Sequence, residues 1–309
     1  PQDARFLAQL GRVRAATGDT EGMQQAFEQA LAIWLDTVGP VDPHTIAEQN
    51  NLGYLHLLLG NYASAHTYLS QALAASRHLL GLRHIQTARI IHNLGYLCIK
   101  QGSYRKAQLY LKLALGLREH LLPELHVSRA ATLIFLSEAH IHLHRYDDAY
   151  TYAQRAHEMC LALFGAKHRM TAESHFVLGW ALYGLGKLAP AHAHLQQALE
   201  INCSLPDGEG HVILFTLTVL GQVLAAQGRY VDACDHLERA IAGWEQEYAA
   251  DYPELVRPLT YLGCLLSRRG DTEGAQVGLQ RALSISETKL GAVHPWTRDV
   301  RAHLAALGD

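Results

Sequence analysis

Histidine is the residue type with which this sequence could most readily do chemistry. The chain has 20 histidines among 309 residues, and three of them, His140, His142 and His144, alternate on a predicted helix and its end. His140 and His144 are four residues apart, so we expect them to share one helix face, where a metal site is geometrically feasible. No carboxylate or cysteine supplies a further ligand on that face. His56 and Cys98 occupy the position of His140 at intervals of 42 residues, which favours packing over metal binding.

Nucleotide-binding and catalytic sequence motifs are either absent or lie outside the secondary structure that they require. The string GLGKLA at 184–189 matches the loose G-x-G-x-x-A dinucleotide pattern, but it lies on a predicted turn between two helices and not after a strand. The sequence contains no GxxxxGK[ST], HExxH or GxSxG string. We therefore predict no catalytic residue, no metal site and no cofactor, and a protein that is not an enzyme.

Composition narrows the classes of partner and compartment. The net charge is −3 and no run of four basic residues occurs, so we predict binding to neither nucleic acid nor membrane. The apolar stretch 212–226 is too short to span a bilayer and is interrupted by Gln222, which favours a buried helix. The five cysteines show no CxxC spacing, which favours a reducing compartment, the cytoplasm. The chain begins at Pro1 without a methionine, so we expect it to be part of a longer protein.

The helices that must position these side chains repeat every 42 residues. A small residue marks each unit, preceded by leucine and followed 19 residues later by alanine; these markers are Gly11, Gly53, Gly95, Ser137, Gly179, Gly221 and Gly263. A small residue in the middle of a helix lets a second helix approach closely. Turns such as LGNY and QGSY place a glycine where positive φ ends a helix. Each unit is thus predicted to be a helix, a tight turn and a second helix, which must stack on its neighbours.

The linkers between these helix pairs also repeat. Histidine recurs at one position of linkers such as GLRHIQT, GAKHRMT and GAVHPWT, as His84, His126, His168 and His294. This recurrence predicts a stabilising hydrogen bond at each connection. Pro43, Pro253 and Pro295 suit the first turn of the helix that follows.

The pattern resembles the tetratricopeptide repeat family over seven consecutive units. That family usually has a period of about 34 residues, and the 42-residue period with LG..HP.T linkers is similar to the kinesin-light-chain type; the linker PDGEGHV departs from it. The resemblance implies an all-α, right-handed superhelical solenoid of seven helix-turn-helix repeats plus a C-terminal capping helix. It also implies a single repeat domain over 1–309, with the cap at 297–309.

The resemblance implies a concave face lined by the first helix of each pair. Kinesin-light-chain-like repeats carry asparagine pairs there that contact peptide main chain, and an asparagine amide can donate and accept at once. The chain departs from that pattern after Asn93, because Phe135, Val177, Val219 and Tyr261 replace the second asparagine. We expect the face to be solvent-exposed without a partner. The candidate partner-binding residues are Asn50, Asn51, Tyr54, Arg89, His92, Asn93, Tyr96, Glu138, Trp180, Tyr183, Gln222 and Arg257.

Three functions remain open at this point. The first is a non-catalytic scaffold that binds a protein or peptide in its concave groove. The second is the sensor or autoinhibitory arm of a larger signalling ATPase of the STAND type, so that the partner is another domain of the same protein. The third is a histidine-rich array that binds metal or a small molecule. For Tyr54, Tyr96 and Trp180, packing between repeats is the alternative to partner binding.

Overall fold

Helices account for nearly all of the chain. The computed structural model describes residues 2–16, 19–205 and 210–308. Within these ranges lie fifteen α-helices and a short 3-10 helix at Pro253–Leu255, with no β-strand. The first helices of the pairs are α1 (Gln2–Ala16), α3 (Pro43–Leu58), α5 (Ile85–Lys100), α7 (Val127–His142), α9 (Arg169–Gly184), α11 (Gly210–Ala226) and α13 (Val256–Arg268). The second helices are α2 (Thr20–Thr37), α4 (Tyr62–Leu79), α6 (Tyr104–Leu121), α8 (Tyr146–Phe164), α10 (Leu188–Ser204), α12 (Tyr230–Glu247) and α14 (Thr272–Lys289).

The predicted all-α architecture of seven helix pairs and a terminal helix is confirmed. The terminal helix, α15 (Pro295–Gly308), begins two residues before the predicted cap, and Asp309 lies outside the described residues. Proline is the first residue of α3, as predicted. The apolar stretch 212–226 falls within α11, where Gln222 is buried. In the described part of the chain, no helix combines the length and apolar character that crossing a membrane requires.

The chain forms two compact units. The N-terminal unit, Pro1–Glu124, contains α1 to α6, and the C-terminal unit, Leu125–Asp309, contains α7 to α15. Within each unit a first helix packs against its own second helix, and that second helix packs against the next first helix. This is the nearest-neighbour stacking that repeat proteins use to bury apolar surface that one pair cannot bury alone. The single domain over 1–309 stays a prediction.

The small marker residues allow the two helices of a pair to approach closely. A Cβ atom added to Gly53 would lie 2.6 Å from Cγ of Leu69, and one added to Gly221 would lie 2.7 Å from Cγ of Leu237. Both distances are well inside van der Waals contact, so a side chain at either glycine would force the helices apart. The prediction of close helix packing at these residues is therefore confirmed.

The turns inside the second to seventh pairs use the left-handed region of φ. Gly60 and Gly102 have φ of 75° and 69°, as predicted from the turn sequences. His144 takes the same place in the fourth repeat with φ 56°, and among the described residues no other non-glycine has positive φ. Since α7 ends at His142, His144 lies in the turn, where its Nδ1 is 2.7 Å from Oη of Tyr146. The prediction that His140 and His144 share a helix face is therefore wrong.

Four of the connections that follow a second helix end on a histidine that caps the next helix. Nδ1 of the linker histidine accepts from the backbone N–H two residues later, which leaves fewer unsatisfied donors in the first turn. The donor–acceptor distances are 3.2 Å for Gln86 to His84, 3.0 Å for Ser128 to His126, 3.1 Å for Met170 to His168 and 3.2 Å for Trp296 to His294. The predicted hydrogen bond at the recurring histidine is confirmed, and its recipient is the helix that follows.

Candidate functional site

In the N-terminal unit, the candidate asparagines lie on the neighbouring first helices α3 and α5. Nδ2 of Asn93 donates to Oδ1 of Asn50 over 2.9 Å, which ties the two helices together. The exposed fraction is 3% for Asn50 and 6% for Asn93, so the expectation that these positions face solvent is wrong. Sequence register pairs Asn93 with Asn51, whereas the hydrogen bond joins it to Asn50, one residue earlier on α3.

Replacing Asn93 with alanine is expected to lower the free energy of unfolding by about 1–3 kcal/mol. The change removes the donor to Asn50 and leaves that buried carbonyl oxygen unsatisfied. Urea denaturation followed by circular dichroism measures the loss. Asn61→Ala is the matched control, because Asn61 is exposed and its side chain makes no capping hydrogen bond, and it should change the unfolding free energy by less than about 0.5 kcal/mol. Equal losses in the two variants would contradict a tie through Asn93.

Other candidates on α3 and α5 are open to solvent. Tyr54 is 41% exposed and Arg89 is exposed, while Asn51 and Tyr96 are half-exposed. Nζ of Lys100 lies 5.3 Å from the ring centroid of Tyr96. The two helices therefore present tyrosine rings, one amide and basic side chains beside each other, a combination that can contact both the main chain and the side chains of a peptide.

Buried basic groups lie behind this face. His92 is buried, and burial together with the nearby charge of Arg118 holds its pKa well below the ordinary value. Arg118 is buried as well, and burial followed by repulsion from Arg89 lowers its pKa to about 10. His92 is thus neutral at pH 7, and the positive charge here resides on the arginines. Burial places His92 in a packing role.

In the C-terminal unit, Trp180 on α9 is at the centre of a cluster of rings. The Arg257 guanidinium carbon lies 4.6 Å from the Trp180 ring centroid. The imidazole of His142 meets the same ring edge-on at 5.1 Å, and Phe176 lies 5.6 Å away. Trp180 is 5% exposed. Most of its surface is therefore used inside the unit, which agrees with the packing alternative and leaves Trp180 little area for a partner.

Two members of this cluster were not predicted from the sequence. Trp296 on α15 lies 5.7 Å from the Arg257 guanidinium and 6.5 Å from the His142 ring. His142 in turn has Nε2 at 3.9 Å from Oε1 of Glu138. The structure thus brings the candidates Glu138, Trp180 and Arg257 together. A signal for Trp296 existed, because at this repeat position no other unit has tryptophan, tyrosine or phenylalanine.

The candidates of the C-terminal unit differ in how much of each side chain is exposed to solvent. Nε2 of Gln222 donates to the Thr218 carbonyl of its own helix over 3.3 Å, and Gln222 is 8% exposed. Tyr183 is half-buried, and burial raises the pKa of its phenol. Arg257 and Tyr261 are half-exposed, and Nη2 of Arg257 donates to Oη of Tyr261 over 3.4 Å. Among the candidates of this unit, Tyr183, Arg257 and Glu138 are therefore partly accessible to solvent.

The repeat position shared by His56 and His140 serves in packing, the alternative to metal binding. His56 stacks on Tyr68 with ring centroids 5.4 Å apart, and His140 meets Tyr152 at 5.1 Å. The sequence argument considered only the helix face that carries His140, and the carboxylate that approaches this ring comes from the neighbouring helix: Oδ2 of Asp148 on α8 lies 3.3 Å from Nδ1 of His140. Over residues 2–16, 19–205 and 210–308, no group of three or more His, Cys, Asp or Glu is arranged to hold a metal ion.

Comparison with known proteins identifies the repeat. A family model described as tetratricopeptide repeat matches residues 2–78, 49–120, 128–204 and 213–288. No curated protein matches the sequence.

Solved structures of repeat proteins resemble the chain in fold. Kinesin light chain repeats from Podospora anserina are 21% identical, with 64% of this chain and 93% of that chain covered and a TM-score of 0.54. A Rap protein complexed with competence and sporulation factor is 15% identical over 99% of this chain and 88% of that chain, with a TM-score of 0.71. NprR in complex with its cognate peptide NprX is 13% identical over 99% of this chain and 82% of that chain, with a TM-score of 0.68.

Proposed function

The chain belongs to the tetratricopeptide repeat family, and from this premise we propose that it is a non-catalytic scaffold whose first helices bind an extended peptide segment of another protein. The observation that carries the proposal is the face formed by α3 and α5. There Tyr54 and Arg89 are exposed and Asn51 is half-exposed, while the Asn93–Asn50 hydrogen bond fixes the spacing of the two helices. A face held rigid before binding loses less conformational entropy when the partner arrives.

The side chains on this face suit a peptide better than a small molecule. A half-exposed amide can donate to and accept from a peptide unit at once, and a tyrosine ring supplies contact area at a low entropic cost. Arg89, with Arg118 behind it, adds positive charge, which favours an acidic or C-terminal carboxylate group in the bound segment. The structure of NprR in complex with its cognate peptide, which shares the fold, supports peptide binding as the mode of action.

The C-terminal unit offers a second, more apolar face. Its partly accessible groups include Tyr183, Tyr261, Arg257 and Glu138, beside the largely buried Trp180. We propose that this face binds aromatic or aliphatic side chains of a partner by stacking.

A cytoplasmic location remains part of the proposal, supported by five free cysteines, three of them buried in helices.

Selection of peptides from a displayed library of random 12-residue sequences tests the function. We expect peptides that bind the wild-type chain and bind the variant Asn51→Ala/Tyr54→Ala/Arg89→Ala at least tenfold more weakly, a loss of about 1.4 kcal/mol or more. The matched control is Leu109→Asn/Val231→Asn, because these side chains are 69% and 72% exposed on second helices. Its affinity should equal that of the wild type.

Melting curves separate a lost binding group from a lost fold. Both variants should melt within a few degrees of the wild type, because all five side chains are exposed or half-exposed. Peptides that bind the α3–α5 variant at full strength but lose affinity for the Leu109/Val231 variant would place the site on the second helices and refute the proposal. Arg257→Gln then reports whether a selected peptide also reaches the C-terminal unit.

A further inference from the structure

Three first helices and the terminal helix begin at a histidine that accepts a hydrogen bond. In α5, α7, α9 and α15 the capping atom is Nδ1, at 3.0–3.2 Å from the capped backbone nitrogen. A ring nitrogen that accepts carries no hydrogen, so each of these imidazoles is neutral with its proton on Nε2. Histidine is the side chain whose charge ordinarily changes between pH 5 and 8. The cap therefore uses a group that protonation can convert from acceptor to donor.

Protonation would oppose these caps in two ways. In the neutral ring, Nδ1 accepts from the backbone N–H. Once Nδ1 carries a hydrogen, it can no longer accept, and two N–H donors face each other. The positive imidazolium also stands at a helix N-terminus, where the partial charge of the helix is positive and cations are disfavoured. Both effects act on the same first turn, so each of the four helices should loosen at its start when its histidine takes up a proton.

The first connection of the array provides an internal comparison. Asp42 stands at the equivalent position before α3, and its Oδ1 accepts from the backbone N–H of His44 over 2.8 Å. The geometry of the cap is thus the same, but the acceptor is a carboxylate. Side chains of this type stay ionised at pH 5. The cap of α3 is therefore expected to hold under conditions in which the histidine caps fail.

A second hydrogen bond keeps most of these connections together when the cap is lost. The hydroxyl of Thr87 donates to the carbonyl of Gly81 over 2.8 Å, and Thr171 does the same to Gly165 over 2.7 Å. The corresponding bond of Thr297 to Gly291 spans 2.9 Å. A hydroxyl does not titrate in this range. Loss of the cap should accordingly release the first turn without unravelling the whole connection.

The groups around the capping histidines do not replace them as the titrating element. The Phe164 ring of α8 stacks on His168 at 4.2 Å, and the Trp296 ring meets His294 at 5.3 Å. Within four residues along the chain, the charged residues are Arg83 at His84, Glu124 and Arg129 at His126, Lys167 and Arg169 at His168, and Arg298 at His294. At the last connection, Arg301 on α15 donates to the carbonyl of Ala292 and pairs with Glu287 of α14. Arginine, lysine and glutamate side chains ordinarily keep their charge between pH 5.5 and 7.5.

We propose that His84, His126, His168 and His294 are proton-sensitive latches, which release the first turns of α5, α7, α9 and α15 on mild acidification while α3 stays capped by Asp42. First helices carry the proposed partner-binding residues, so the latches would make binding sensitive to pH. The latch itself stands on the cap geometry and does not require the proposed function.

Amide hydrogen exchange of the full chain tests the latches at single residues. Protection factors, each taken relative to the intrinsic exchange rate at the same pH, are compared at pH 7.5 and pH 5.5. We expect protection of the capped amides to fall roughly five- to tenfold on acidification, the effect of losing one N-cap. These amides belong to Gln86, Ser128, Met170 and Trp296. Protection at His44, the amide capped by Asp42, should change by less than twofold.

The variant His168→Asp supplies the matched control. It places the carboxylate of the first connection before α9, so protection at Met170 should become independent of pH while Gln86 still responds. The inference is overturned if protection at His44 falls as much as at the four histidine-capped amides. It is also overturned if Met170 responds to pH equally in the wild type and in His168→Asp.

Discussion

Replacing Gly221 with serine is expected to destabilise the C-terminal unit by about 1–3 kcal/mol. Gly221 lies in the middle of α11, and a Cβ atom there would lie 2.7 Å from Cγ of Leu237 and 3.2 Å from the carbonyl oxygen of Ala233 on α12. The leucine side chain can shift, but the helix backbone behind it cannot shift without moving α12. The cost is therefore that of overpacking a well-filled core.

The fourth repeat shows how the same position accepts a serine. There Ser137 replaces the glycine, and its hydroxyl donates to the carbonyl of Ala149 over 2.9 Å. The second-helix residue that would clash is Ala153 and not leucine. A larger residue on the first helix, serine for glycine, is thus matched by a smaller residue on the second helix, alanine for leucine. The pairing indicates that the two positions share one volume within each repeat.

The double variant Gly221→Ser/Leu237→Ala is accordingly expected to cost at least about 1 kcal/mol less than the sum of the two single changes. Leu237→Ala alone should cost about 2–5 kcal/mol, because it opens a cavity at a fully buried residue. In the double variant the serine fills part of that space and can donate to the carbonyl of Ala233. Urea denaturation of the four proteins gives the coupling energy.

Gly116→Ala controls for the general effect of filling a helix glycine. Gly116 lies within α6, and an added Cβ there meets nothing within 4 Å. This change should stabilise the chain by about 0.5–1 kcal/mol, since alanine loses less backbone entropy than glycine. Additive costs for Gly221→Ser and Leu237→Ala would show that the two positions do not share one volume and would contradict the packing argument.

The features that could be predicted from the sequence are those that every repeat shares. The glycine–leucine contact, the positive φ at Gly60 and Gly102, and the capping histidines all follow from spacing, because one local geometry is repeated at 42-residue intervals. Such local rules do not depend on where distant parts of the chain lie. Repetition also averages out the exceptions, so the departure of His144 from glycine did not obscure the turn.

The candidate site was less predictable because its contacts depend on how repeats stack. Periodicity aligns Asn93 with Asn51, but the rotation between α3 and α5 directs its amide to Asn50. Likewise, the approach of Trp296 to His142 joins helices separated by more than 150 residues, and no local pattern encodes it. Burial of Trp180 and Asn93 follows from these contacts. The 42-residue periodicity therefore predicted the helices correctly, but it did not predict which of their side chains stay exposed to a partner.

Acidification from pH 7 to pH 4 is expected to remove about 1–2 kcal/mol of unfolding free energy at a cluster of three histidines in the C-terminal unit. His157 on α8, His175 on α9 and His194 on α10 lie together, with ring centroids between 4.3 and 5.9 Å apart. Nδ1 of His175 is 2.9 Å from Nδ1 of His194, so one of these nitrogens must donate and the other accept. If His175 and His194 were both protonated, two N–H groups would face each other and the hydrogen bond would be lost.

Hydrogen bonding fixes the third ring as well. The Ser174 hydroxyl donates to the Thr171 carbonyl over 2.7 Å, so its oxygen accepts from Nδ1 of His157 over 2.9 Å. Burial, and after it the neighbouring imidazoles His157 and His194, lowers the pKa of His175 to about 4. Burial also lowers the pKa of His194, and that of His157, for which Glu158 opposes the shift. The cluster is therefore neutral at pH 7.

The sign of the effect follows from these lowered values. The unfolded chain takes up protons on histidine near pH 6.5, whereas folded His175 resists until its pKa of about 4. The stabilisation is thus complete above about pH 6.5 and is lost progressively as the pH falls toward 4. The full difference for His175 corresponds to about 3 kcal/mol, and the rings are only half-buried, so solvent screening reduces it to the expected 1–2 kcal/mol.

Urea denaturation at half-unit steps between pH 7 and pH 4 measures the loss, and His175→Asn should flatten the slope in that interval by removing the most strongly shifted ring. The matched control is His66→Asn, an exposed histidine of α4, which should leave the slope unchanged. NMR titration assigns the effect: the His175 ring signals should stay at their neutral shifts down to about pH 5, well below the ordinary value for histidine. A His175 ring that titrates near pH 6.5 in the folded chain would refute the argument. The folded and unfolded states would then bind protons at this residue equally at every pH, and His175 would contribute nothing to the pH dependence of stability.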